Sequence, residues 1–259
     1  MTGVHVWWAF LIAVSAVNIG LWLRLRGRVA TDEQRRQLHR SGVFVFVCAF
    51  RSLLPRADVQ RICLVDTFLS SVLVGRALAT AAELCFMAQI AATLRVLGRA
   101  LGHAPAVAVA RWVLPLIAVA ELCSWYAVVT TNFLGNALEQ SLWTLTPFLV
   151  ATQLVPLAVR ATGAVRRFLI AGIALIAGHV GFMSLVDVPM YVRRFLADQA
   201  GGRTYLGLLD GMRDLATRWV VTFSWAEWRD ELAWMGLYFS VAVWCSLALV
   251  IPPRAQRRD

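Results

Sequence analysis

Four ionisable side chains, Arg51, Glu83, Glu121 and His179, stand inside long apolar runs of the sequence. An isolated charge in hydrocarbon costs at least about 2.5–3.5 kcal/mol on insertion scales, so a chain that keeps such groups needs them for packing or for chemistry. Two carboxyls and an imidazole can exchange protons near neutrality once burial moves them from their solution values. Glu83, Glu121 and His179 are therefore candidate acid/base residues. With Arg51, which can compensate a carboxylate or hold an anion, they form a candidate ligand- or proton-binding site. With His neutral the four sum to −1, which leaves one carboxylate to share a proton, to use His179 or to bind a cation.

A second constellation, Asp66, Arg76, Asp187, Arg193 and Arg194, is expected to line an outer vestibule above this layer. Arg76 precedes Glu83 by seven residues and so shares its helical face two turns away, and Asp187 lies about 12 Å along the helix from His179. Metal ligation is not expected. Glu83, Cys85, Glu121, Cys123 and His179 offer ligand atoms, but Glu and Cys two residues apart on a helix point nearly opposite ways, and neither Glu-x-x-His nor His-x-x-x-His occurs. A second membrane His for haem is lacking, so no cofactor is expected. All 25 cationic residues are arginine, which excludes a retinal or other lysine imine.

The elements that must hold these groups follow from composition. Of 259 residues 59% are hydrophobic and 15% charged, too apolar for one soluble core and too poor in charge for a wettable surface. Lipid must be solvent for much of the chain. Seven segments reach the length that a bilayer requires: 4–23, 42–54, 77–97, 112–131, 142–159, 168–188 and 231–251. The second is the shortest apolar run. It is extended by a capping box at Thr31-Asp32-Glu33-Gln34 and stopped by Pro55. At about 1.5 Å per residue from the nearest basic boundary, Arg51, Glu83, Glu121 and His179 all fall about 15–18 Å deep, in one layer.

Charge sorts by side. With the N-terminus outside, the inner connections and adjoining span ends hold 15 Arg and 3 acidic residues, and the outer ones 8 Arg and 10. This positive-inside pattern predicts N-out, C-in in a bacterial-type plasma membrane, with the basic runs meeting anionic lipid headgroups on the inner face and not nucleic acid. The long connection 189–230 carries Leu208, Met212, Leu215 and Trp219 at helical spacing opposite Asp210, Arg213, Asp214 and Arg218, the pattern of an outer amphipathic interfacial helix. Ser224-Trp225-Ala226-Glu227 reads as a capping box opening the last span. Trp7, Trp8, Trp225, Trp228 and Trp234 suit an aromatic belt, and of the five cysteines only Cys63 is placed where an oxidising compartment would reach it.

The expected fold is thus all-α, a single transmembrane domain over 1–259 forming a seven-helix bundle. Its expected partners are the bilayer and a small molecule, proton or ion. Three function classes fit: a proton-coupled carrier, a membrane enzyme with a Glu/His acid-base pair acting on an amphiphile, and a structural or sensor subunit whose buried charges only fix helix packing.

Overall fold

A computed structural model describes residues 3–253. It is all-α apart from one small sheet. Six helical runs are long and apolar enough to cross a membrane: Gly3–Arg26, Val72–Ala100, Ala104–Thr130, Phe133–Arg160, Gly163–Ala200 and Trp225–Ala248. The first four are single helices, α1, α3, α4 and α5. The seventh expected span forms as α2, Asp32–Leu53, but its first half is polar and it does not meet the same criterion. The capping box at its start does form. Gln34 N–H donates to Thr31 Oγ1 at 3.2 Å and Thr31 N–H to Gln34 Oε1 at 3.3 Å. Pro55, which lacks an N–H, follows its end.

By their contacts the described residues form two compact units, 3–89 with 208–251, and 90–207 with 252–253. In the first, α1 packs along α2, and the last helical run returns against both as α9 (Trp225–Leu237), a π-turn (Tyr238–Ala242) and α10 (Val243–Ala248). Their apolar faces meet in a core of Val4, Trp7, Leu11, Phe44, Trp228 and Phe239. Trp7 and Trp228 are therefore core residues and not members of a belt. Their rings pack at 5.5 Å, and the Trp228 Nε1–H donates to Thr222 O at 2.9 Å. Polar side chains tie the helices where hydrocarbon offers no partner. Gln89 of α3 donates to Gln37 O (3.0 Å) and Ser246 O (3.2 Å), and its Oε1 accepts from Ser246 at 2.6 Å. Asn18 donates to Phe239 O at 2.8 Å within the π-turn and accepts from Trp244 Nε1 at 2.9 Å.

Between α2 and α3 the first unit departs from an all-helical reading. β1 (Arg56–Ala57) and β2 (Ile62–Cys63) pair antiparallel, and β2 pairs in parallel with β3 (Val220–Val221). Two-residue strands carry no periodicity that a sequence can announce. The sheet buries Cys63 completely, which corrects the expectation that an oxidising compartment would reach it. Helix α8 (Leu208–Thr217) forms in the long connection, but of its expected apolar face Leu215 is buried while Leu208 and Met212 are exposed. Trp219, just beyond the helix, donates to Asp66 at 2.9 Å. The capping box at Ser224 is absent: the last run starts there, but no side-chain cap bond forms.

In the second unit α4 and α5 form an antiparallel hairpin turned by Thr131 in the left-handed region (φ 63) and capped by Asn132, which accepts from Leu134 N–H at 2.9 Å. Gly135 is required. A Cβ there would stand 2.7 Å from the Cys123 carbonyl oxygen, so the two backbones touch. α6 (Gly163–Phe182) continues through a π-turn (Met183–Asp187) into α7 (Val188–Ala200), so helix extends past the expected end at 188. The Val188 N–H bonds Met183 O, and the N–H that Pro189 lacks falls where the bonding register changes.

Asn18→Leu should lower the stability of the detergent-solubilised protein by about 1–3 kcal/mol, because it strands the Phe239 carbonyl and the Trp244 N–H without water. Denaturant or thermal unfolding checks this.

Candidate functional site

The first unit gathers buried charge around the turn that follows α2. Arg51 lies on the last turn of α2, with its side chain 5% exposed. Pro55 then bends the chain so that Arg56 points back inside, where its guanidinium lies flat against Gly75 of α3 and donates to Ser71 O. Only glycine leaves room for it. Asp58 serves both cations through one oxygen: Oδ1 is 2.6 Å from Arg56 Nη2 and 4.0 Å from Arg51 Nη2. Arg61, in the left-handed region at φ 58, donates to Asp58 O at 2.9 Å and to Asp214 of α8 at 3.0 Å.

Further along α3, Arg76 and Glu83 meet across two helical turns at 2.6 Å, as their spacing of seven allows. Tyr238, in the π-turn, donates to the other Glu83 oxygen at 2.9 Å. Glu83 is thus held by Arg76 and Tyr238, whereas the carboxylate beside Arg51 is Asp58. The buried Nε of Arg51 has no hydrogen-bond partner among the described residues, and the same holds for the Nε of Arg56 and of Arg76. Arg51 has the 4.0 Å ion pair and the face of Phe239 at 5.7 Å.

The electrostatics of the turn follow from this crowding. Burial alone would raise the Asp58 carboxyl, but Arg56, then Arg51, Arg76 and Arg61, outweigh it and hold the group below its usual value of 3.8. Burial, followed by the neighbouring Arg51, Arg76 and Arg61, pushes Arg56 down to about 10 against the pull of Asp58. It stays cationic at neutral pH. Cys63 beside it is raised, chiefly by burial.

Of the four expected layer residues, Arg51 and Glu83 belong to the first unit and Glu121 and His179 to the second. Glu121 is buried on α4, and His179 Nε2 donates to Trp143 O of α5 at 3.1 Å. Glu139 on α5, buried to 5% exposure, was not anticipated. The span containing it was expected to begin at 142, but α5 begins at Phe133 behind the Asn132 cap, a signal that was present in the sequence. The vestibule residues divide likewise. Asp66 accepts from Trp219 and Arg76 pairs with Glu83, while in the second unit Asp187 is half-buried, Arg193 is exposed and Arg194 lies over the rings of Phe133 and Tyr191 at 5.6 and 5.7 Å. Arg56, Asp58, Arg61, Asp214 and Tyr238 are the members of the first cluster that sequence reasoning missed. The crowding of charges over 56–66 was the only signal for the first three.

Among the described residues no three His, Cys, Asp or Glu side chains gather where they could hold a metal ion. No protein family matches the chain, and neither curated proteins nor solved structures show a relative.

Asp58 gives a pH test. Its folded value lies below the unfolded one, so its contribution to stability is complete above about pH 4 and is lost as pH falls through the folded value. The acid limb of stability against pH should therefore be steeper for the wild type than for Asp58→Asn, as followed by thermal unfolding between pH 6 and pH 3.

Proposed function

We propose that the chain is an integral membrane protein whose first unit binds a small anion at the arginine cluster. The observation that carries this reading is Arg51: its side chain is 5% exposed, its buried Nε has no hydrogen-bond partner among the described residues and its ion pair with Asp58 is 4.0 Å long. Buried donors in native proteins are nearly always satisfied, and one that is not calls for a water or an ion. Four guanidinium groups crowd together here. The side chains of Arg51, Arg56, Arg61 and Arg76 are at most 9% exposed, with the carboxylates of Asp58, Glu83 and Asp214 at 11–14%. Glu231, half-buried on α9, adds a fourth carboxylate and accepts from Gln60 and from Trp234. The crowding of guanidinium groups around Arg51 favours an anion as the ion.

Carriage of the ligand and chemistry upon it both begin with such a site, and proton-coupled movement of the anion is the fuller form of this reading. The arginine distribution supports N-out, C-in, which turns residues 56–66 outward, and α2 then serves as a seventh crossing with its polar half at the inner face. A packing role is favoured for one part of the cluster. The Arg76–Glu83–Tyr238 set is bonded at 2.6 and 2.9 Å, as interhelical glue would be.

The two roles separate on substitution. Arg76→Met strands the buried Glu83 carboxylate and should cost about 3–5 kcal/mol of stability. Arg51→Met should change stability by less than about 1 kcal/mol, yet abolish the thermal stabilisation that millimolar propionate gives the wild type. Equal destabilisation by both variants, with no response of the wild type to propionate, would reduce the whole cluster to packing.

A further inference from the structure

In the second unit the turn from α3 to α4 carries an open hollow of about 480 Å³, lined by Gly98, Arg99, Gly102, His103, Val107 and Arg111. Two glycines shape it. Gly102 takes φ 65, its N–H bonds Arg99 O at 3.3 Å and the His103 N–H bonds Gly98 O at 2.7 Å, so α3 ends sharply and α4 starts at once. A Cβ on Gly98 would stand 3.0 Å from the Ala106 Cβ, which brings α4 close against α3. Arg99 comes to the hollow from α3, and Arg111 from the α4 face that also carries Val107. The groups around them are already engaged. Arg160 of α5 donates to Gly102 O at 2.7 Å, and the His103 ring bonds Gln153 at 3.1 Å and leaves α4 without a side-chain cap. No hydrogen bond or ion pair within the described residues holds the side chain of Arg99 or of Arg111. No acidic residue lies between Glu83 and Glu121 or between Glu139 and Asp187, while those stretches carry Arg95, Arg99, Arg111, Arg160, Arg166 and Arg167.

We infer that this hollow seats the phosphodiester headgroup of an anionic phospholipid of the phosphatidylglycerol class, held by Arg99 and Arg111. The site shares no residue with the arginine cluster of the first unit. Charge complementarity names the anion, since two guanidinium groups meet here with no carboxylate in either stretch of chain to neutralise them. The uncapped start of α4 adds its free N–H groups and the positive end of its dipole. Shape favours phosphorus over carbon. The two charged oxygens of a phosphodiester diverge from a tetrahedral centre and can serve guanidinium groups from two helices, whereas the coplanar oxygens of a carboxylate match a single fork. Position favours a lipid over a soluble phosphate. Helices α3 and α4 are both long and apolar enough to cross a membrane, so the turn that joins them falls at the level of the headgroups. Val96 and Trp112, each one residue or a turn from a lining arginine, are 49% and 65% exposed and offer the acyl chains an apolar surface, with Trp112 suited to the interface.

The test uses the full chain, purified, delipidated and held in a non-ionic detergent. Native mass spectrometry compares dioleoyl phosphatidylglycerol with dioleoyl phosphatidylcholine, which has the same chains and no net charge. Glycerol phosphate serves as the competitor that has the headgroup without the chains. Phosphatidylglycerol should be retained at least about tenfold more tightly than phosphatidylcholine, the size of one charge-assisted hydrogen bond. Arg99→Gln with Arg111→Gln should remove that preference. Arg166→Gln with Arg167→Gln takes the same charge from the neighbouring turn and should leave the preference in place. Ala108→Glu, which sets a carboxylate into the hollow three residues before Arg111, should remove it with both arginines present. These positions are exposed, and unchanged thermal unfolding shows that the variants are folded. Equal retention of the two lipids by the wild type, or equal loss from the two arginine pairs, overturns the inference. Glycerol phosphate that displaces phosphatidylglycerol at equal concentration overturns the lipid as occupant. Arg51→Met should retain phosphatidylglycerol as the wild type does, and a loss there would show that the hollow is not the site.

Discussion

Asp58 is one carboxylate asked to serve two buried guanidinium groups. Its Oδ1 lies 2.6 Å from Arg56 and 4.0 Å from Arg51, and that difference organises the first unit. Burying a cation in a unit built for hydrocarbon is tolerable only when a counterion and acceptors go with it. Arg56 has Asp58 as its close counterion and the Ser71 carbonyl as the acceptor of one nitrogen, and it lies against Gly75. The turn after Pro55, the two-residue strands and the pairing of β2 with β3 all place Asp58 where it can do this. Arg51 receives the remainder of the Asp58 field and an aromatic face. At 4.0 Å it is close enough to Asp58 to be held and too far to form a hydrogen bond with it.

In the second unit helices approach through small residues, as at Gly135, and several polar groups find close partners within the unit: His179 on the Trp143 carbonyl and His103 on Gln153 at 3.1 Å each, and Arg160 on Gly102 O at 2.7 Å. Buried polar contacts between membrane helices are individually modest, but they fix which face meets which.

Much of this was legible from the residues. The apolar runs located every long helix, the capping box at Thr31 gave the start of α2, and the cost of burying charge singled out Arg51 and Glu83. What failed has physical causes. Arg76 was set in a vestibule although seven residues place it on the face of Glu83, because a depth count treats the two ends of a long arginine side chain as one point. Arg56 and Asp58 sit in a turn with no period, where only the fold decides which side chain points inward. Glu139 was left in a connection because the span was begun at its most apolar stretch and not at its cap. Six helical runs are long and apolar enough to cross a membrane, and α2 is not among them because its first half is polar.

The central claim is that Arg56 is the paired arginine and Arg51 the available one. Double-mutant cycles of Asp58→Asn with Arg56→Met and with Arg51→Met, read by unfolding in detergent without added anion, measure this directly. The account predicts a coupling of about 2–3 kcal/mol for Arg56 with Asp58 and less than about 1 kcal/mol for Arg51 with Asp58. A coupling for Arg51 as large as that for Arg56 would contradict it, since Arg51 would then already have its partner within the protein.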